Sequence, residues 1–206
     1  MAHVVANPHV LYVGTPALLV ASTNADGSPN LAPASSSWAL GRMLCLGIEA
    51  DGQTALNMAA RAGITVNYPS APLWPALVRL SHLTGRSPVP EAKRDRYTYE
   101  HDKFAAARLT PQRSDLVDAP RVRECALQFE AMVRRMTPGL DRSYFMVEAE
   151  VVRVHADEAI VQDGTGEIDP RAWHPLVYAF RHFFDRGAEA GWLPSSRIAE
   201  HPPVID

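Results

Sequence analysis

Cys45 and Cys125 are the only cysteines in the chain of 206 residues. So small a number, with no CxxC spacing, excludes a disulfide framework and argues against a cysteine-based zinc site. Two reduced, mostly buried thiols in a cytoplasmic protein fit better. Long hydrophobic runs are missing too. The stretch from Val10 to Ala21 is broken by Gly14 and Pro16 and has no basic flank. Neither a signal peptide nor a membrane span is expected. Nor does one sign of charge dominate: 20 Lys plus Arg against 23 Asp plus Glu leave a formal net charge of −3. That balance gives no electrostatic drive toward nucleic acid or acidic lipid. The phosphate loop GxxxxGK(S/T), the GxSxG elbow and HExxH do not occur. Gly164-Thr-Gly166 opens like a dinucleotide fingerprint, but Asp169 stands at its third glycine position and it reads as a turn.

What the chain does have is an ordinary globular composition, 47% apolar and 21% charged, which fits one domain over residues 1–206. Ala17 to Thr23 is a short apolar strand ending at Asn24-Ala-Asp-Gly27, a turn signal. Ser28 to Pro33 runs back beside it, and Pro29 and Pro33 keep it at a sheet edge. Met43 to Ile48 and Ile64 to Tyr68 are further strands. Between them Thr54 to Ala62 reads as a helix, with Thr54 as N-cap and Gly63 as the stop. Leu73 to Leu83 is a second helix, with Pro75 in its first turn.

Residues 84–120 mix charges of both signs and read as a solvated, loop-rich insertion with short helices. Cys125 to Arg135 and Tyr144 to His155 are long strands. The alternation of Phe145, Val147, Ala149 and Val151 slips at Val152, which fits a bulged barrel strand. An aromatic segment spans 173–192. Strands in runs, with helices inserted early, predict a mainly β barrel with peripheral helices.

The eight histidines are scattered, and no metal site is expected. Glu100-His101-Asp102 reads as a solvated turn. His174 and His182, eight apart, suit one helix face in packing or capping roles. Ser35, Ser36 and Ser37 suit either a bound phosphate or polar heterocycle edge, or a plain serine-rich turn. Asn57 and Arg61 would align with Thr54 along one helix face, near N–H groups that attract anions.

Taken in order, Thr15 to Thr23, Asp26 to Pro33, Ser35 to Ser37, Gln53 to Asn57 and Val66-Asn67 resemble the flavin reductase-like, FMN-binding split-barrel family. Tyr99-Glu-His-Asp-Lys-Phe104 and Trp173 to Phe184 are similar to its flavoredoxin-like branch. The resemblance covers residues 10–185. It implies a six-stranded Greek-key split β-barrel and a homodimer with FMN at the dimer interface. Asn30, Ala32, Ala34, Ser35, Ser36 and Ser37 would lie along the isoalloxazine and ribityl chain. Thr54 and Asn57 would hold the phosphate, and Tyr178 and Arg181 would close over the flavin. Trp38 and Gly41-Arg42 depart from the family pattern.

The implied function is a flavin reductase-like oxidoreductase that passes hydride from NADH or NADPH through FMN to an acceptor such as a partner monooxygenase. The protein side chains orient the cofactor, and none is expected to transfer a proton itself. The alternatives are a flavoprotein electron carrier without a nicotinamide site, and a split-barrel protein that has lost its flavin. Trp38, Trp173, Phe180, Phe183 and Phe184 are the expected apolar surface for a second subunit.

Overall fold

The apolar run from Ala17 to Ala21 is unbroken because both faces of its strand are buried. Leu18 and Val20 face a barrel interior filled by Leu44, Leu46, Ile64, Val66, Val147 and Ala149. Leu19 and Ala21 face a second core outside the barrel, with Leu77, Leu80, Phe104 and Val122. A strand between two cores has no polar face to alternate with.

The structure, a computed structural model, describes residues 1–190. Its strands are β1 (Val13–Pro16), β2 (Leu18–Thr23), β3 (Pro29–Ala34), β4 (Ser37–Leu40), β5 (Met43–Glu49), β6 (Gly63–Tyr68), β7 (Leu83–Thr84), β8 (Thr98–Tyr99), β9 (Pro111–Gln112), β10 (Arg121–Val122), β11 (Leu127–Pro138), β12 (Tyr144–Ala156), β13 (Val177–Ala179) and β14 (His182–Phe184). The helices are α1 (Gln53–Ala60), α2 (Trp74–Leu80) and α3 (Lys103–Ala107).

The main sheet runs β3-β2-β6-β11-β12-β5-β4 and is antiparallel throughout. Its two edge strands are halves of one chain segment: β3 pairs with β2, β4 pairs with β5, and only Ser35 and Ser36 separate them. Counted as one bent strand, β3 and β4 make a six-stranded ring whose ladder splits at those serines. Ser36 keeps one link, accepting from the Gly47 N–H at 2.8 Å. This is a split-barrel fold. The expected edge placement of Pro29 and Pro33 follows, since β3 leaves one side of its ladder unpaired.

Other local expectations hold for the reasons that motivated them. Gly27 takes φ +85° in the β2–β3 turn, a conformation that spares only glycine a Cβ clash. The slip in β12 is a bulge: Glu130 faces Arg153 while Ala131 faces Val151, so Val152 has no opposite residue. The freed Val151 N–H donates to the Arg42 carbonyl at 2.8 Å, and Arg42 Nε donates back to the Val151 carbonyl at 3.0 Å. Gly164 and Gly166 both sit at positive φ in a turn.

Four expectations need correction. Helix α1 begins one residue early, with Gly52 as N-cap and no side-chain capping bond, so Thr54 lies inside the first turn. Gly63 starts β6 instead of ending the helix. The 84–120 insertion is not a solvated loop. It packs Phe104, Ala107, Leu109 and Ala119 to 6% exposure or less, because the outer face of β2 needs a cover. His174 and His182 share no helix face, since the segment forms the β13–β14 hairpin; Trp192 lies outside the described residues. Within Glu100-His101-Asp102, Asp102 caps α3 by accepting from the Ala105 N–H at 3.0 Å.

Candidate functional site

Where the ring splits, a cleft of about 360 Å³ opens. One wall is the bent strand, with Ala32, Ala34, Ser35 and Ser36. A second is the start of α1, with Gly52, Gln53 and Thr54. A third is aromatic, with Tyr12, Tyr178 and Phe183. Tyr12 meets Tyr178 edge-on at 5.4 Å, Tyr178 meets Phe183 at 5.4 Å, and the Tyr12 hydroxyl bonds Ser36 Oγ at 2.7 Å.

The start of α1 is open chemistry. Its first-turn N–H groups have no intrahelical acceptor, and Gly52 supplies no side chain to take one. Behind it lies a closed polar network. Asn30 Nδ2 donates to Ser22 Oγ at 3.1 Å and to Thr54 Oγ1 at 3.0 Å. Asn57 Nδ2 donates to Ser22 Oγ at 3.0 Å and to Asn24 Oδ1 at 2.9 Å. Thr54 Oγ1 therefore already accepts a bond, and its hydroxyl proton is left to donate. Asn30 Oδ1 is buried with no partner among the described residues.

Two lysines complete the floor. Lys93 pairs with Glu49 and, at 2.6 Å, with Asp51. Burial alone would lower its pKa, but the hydrogen bonds to those carboxylates outweigh burial and raise it. Lys103 is different. It is 3% exposed and lines the cleft, yet no carboxylate among the described residues lies within 4.0 Å of its nitrogen. Burial, with the nearby Lys93 charge, pushes its pKa down to about 8. An unpaired buried ammonium lining the same cleft as an uncapped helix start is chemistry that suits an anion.

The structure thus gathers Ala32, Ala34, Ser35, Ser36, Thr54 and Tyr178 on the cleft. Asn30 and Asn57 stand behind it: Asn30 orients Thr54 directly, and Asn57 shares the Ser22 hydroxyl with Asn30. Ser37 and Arg181 do not line it. Ser37 belongs to the β4–β5 ladder, and Arg181 occupies the exposed β13–β14 turn at φ +71°. Arg61 turns to the Ala25 carbonyl at 3.2 Å. Tyr12, Gln53, Lys93 and Lys103 are cleft residues that sequence reasoning missed.

A profile of the family described as "Flavin reductase like domain" matches residues 11–187. The chain belongs to this family. The "Uncharacterized protein YdfE" of Bacillus subtilis (strain 168) is 37% identical over 186 residues, which cover 89% of each chain. Among solved structures, the flavoredoxin of Desulfovibrio vulgaris (Miyazaki F) superposes with a TM-score of 0.76 at 21% identity, covering 97% of this chain and 99% of that one. Nitrilotriacetate monooxygenase component B from Bacillus cereus superposes with a TM-score of 0.73 at 18% identity, covering 93% and 100%. At these identities the two structures attest the shared split-barrel fold.

On this flavin reductase-like scaffold a second buried ionic group lies away from the cleft. Glu130 on β11, fully buried, accepts from the N–H groups of Asp115, Leu116 and Val117 at 2.9, 2.6 and 3.2 Å. His155 Nε2 lies 2.6 Å from it, and Arg153 donates to Asp115 at 2.7 Å. Asp115, Glu130 and His155 offer atoms within 4.8 Å of one another. Both Glu130 oxygens are already used by loop amides, so the group reads as a latch for the 113–118 loop. No helix among the described residues is long and apolar enough to cross a membrane.

Proposed function

We propose that this flavin reductase-like protein binds FMN in the cleft and works as an oxidoreductase that takes hydride from NADH or NADPH and hands electrons to an acceptor. The observation that carries the reading is the buried, unpaired Lys103 ammonium facing the same cleft as the uncapped start of α1. A phosphate monoester meets both needs: it takes N–H donors and neutralises a buried cation. Lys103, Thr54 and the first-turn N–H groups hold the phosphate, with Asn30 positioning Thr54 and Asn57 sharing the Ser22 hydroxyl with Asn30. Ala32, Ala34, Ser35 and Ser36 give a small-residue wall along which a flat ring system and its polyol chain lie. Tyr178, on the aromatic wall of the cleft, would contact the flavin. A bound flavin supplies hydride acceptance from nicotinamide and electron release to an acceptor.

A partner monooxygenase is one acceptor of the right kind, as the component B name implies for that relative. The functional unit is a homodimer. Trp38, Leu40 and Met146, exposed at 61%, 75% and 50%, share the outer face of β4, β5 and β12 with the Arg135–Glu148 and Arg134–Glu150 ion pairs, a mixed surface that a second copy would cover. Phe180 and Phe184 are also exposed, whereas Phe183 turns inward onto Tyr178 and the core.

The test is anaerobic reduction of the purified protein. A yellow preparation whose flavin band bleaches with NADH or NADPH supports the reading. Flavin that neither nicotinamide bleaches points to an electron carrier. A colourless protein that does not take up FMN overturns it.

A further inference from the structure

A second, more open groove of about 410 Å³ adjoins the cleft, and the two share Glu49 and Lys93. Its remaining wall includes Arg96, Arg142, Ser143 and Tyr144. Among the described residues neither guanidinium has a carboxylate within 4.0 Å. The groove's two acids, Glu49 and Asp51, are both engaged by Lys93. Three cations against two acids leave the groove net positive, with both arginines uncompensated.

The scaffold under these groups is fixed. Arg142 N–H donates to the Gly139 carbonyl at 3.0 Å, and the Ser143 carbonyl accepts from Ala50 at 2.9 Å. Arg96 N–H donates to the Lys93 carbonyl at 3.0 Å. The Tyr144 ring packs against the chain at Gly139, where an added Cβ would come within 2.4 Å of ring atoms. Tyr144 as a whole stays 40% exposed. An aromatic side chain and two forked cations lining one groove suit a purine nucleoside carrying a phosphate monoester.

We propose that this groove binds the 2′-phosphorylated adenosine of NADPH and makes the protein NADPH-selective. The proposal rests on the function proposed above, since it places the nicotinamide end in the adjoining cleft. Phosphorylated adenosine also occurs in FAD, but without a 2′-phosphate. The flavin's own phosphate is held at Lys103, which leaves the Arg96 and Arg142 pair without a dianion to meet. The 2′-phosphate is a terminal dianion of the kind two arginines chelate.

Adenosine 2′,5′-bisphosphate, 5′-AMP, FMN and FAD are titrated calorimetrically into the full-length wild type and into Arg96→Gln and Arg142→Gln. Thermal unfolding checks that each variant folds. The bisphosphate should bind the wild type at least about tenfold more tightly than 5′-AMP. Each variant should lose about tenfold for the bisphosphate, less than that for 5′-AMP, and nothing for FMN. In turnover, KM for NADPH should rise in both variants while KM for NADH stays constant. Equal affinity of the bisphosphate and 5′-AMP, or bisphosphate binding that neither variant weakens, overturns the proposal. So does a loss confined to FAD, which would assign the groove to the flavin's adenosine. A protein that takes up no flavin fails the function proposed above, yet its bisphosphate affinity still decides this one.

Discussion

Glu130 and Lys103 are both buried ionisable groups, and the fold treats them oppositely. Glu130 meets three loop N–H groups and a histidine, all supplied by this chain. Lys103 meets no carboxylate among the described residues and faces a cleft. A buried charge whose partners are all internal belongs to the architecture. One whose partner is missing marks where a ligand must bring the opposite charge. The two sites therefore respond differently to the same kind of damage.

The largest effect should come from the satisfied site. Glu130→Ala leaves three amides and His155 without an acceptor and should cost about 3–5 kcal/mol of stability. Chemical denaturation measures the loss, and FMN affinity of the folded fraction should not change. A large loss of FMN affinity with unchanged stability would erase the distinction between the sites. Acid should act on the same latch. Burial raises the Glu130 pKa, but bonds from the Asp115 and Leu116 amides and from His155 outweigh it and hold the carboxyl below its usual 4.5. Its contribution is whole above that value and is lost as pH falls through the lower folded value. Hydrogen exchange in residues 113–118 should rise at acid pH while α1 stays protected.

At the cleft the sign reverses. Lys103→Met removes a buried unpaired charge, so the flavin-free variant should be more stable than wild type by ~1–3 kcal/mol at neutral pH. FMN affinity should fall by about one to two orders of magnitude. The wild type should show a matching pH dependence. Between about 8, the folded pKa, and the ordinary 10.5, the unfolded chain keeps the proton and the folded one does not. Flavin-free stability should therefore gain with rising pH across that window, relative to Lys103→Met. FMN affinity should fall across it, because the phosphate needs the charged amine. Paired unfolding curves and titrations at several pH values check both signs.

The smallest effect is at Thr54. Removing its hydroxyl should cost ~1 kcal/mol, because Asn30 loses one of two acceptors, and should weaken FMN about tenfold. Stability loss with unchanged FMN affinity would confine Thr54 to the supporting network.

Much of the barrel was legible in the residues, because strand burial leaves a local pattern. The bulge at Val152, the turn at Gly27 and the edge prolines each carry a signature within a few residues. The site was legible where small residues line it, from Ala32 to Ser36. It was misread where position depends on burial at a distance. Thr54 looks like a cap because nothing local shows that Gly52 starts the helix. Lys103 was lost among the charges of 84–120. A usable signal existed: Lys103 lies four residues before Ala107, which puts it on the helix face that Ala107 buries completely. Arg181 rests on resemblance and Ser37 on resemblance and the run of hydroxyls, and the structure keeps both off the cleft because one tips a hairpin and the other belongs to a ladder.

The central claim is that Lys103 and the start of α1 form a phosphate site for a flavin. Titrating FMN and riboflavin into wild type and Lys103→Met at neutral pH tests it most directly, because the two ligands differ only in the phosphate. The wild type should bind FMN at least about tenfold more tightly than riboflavin, and the variant should lose most of that preference. Equal affinities in the wild type, or an FMN preference that survives intact in the variant, would contradict the account.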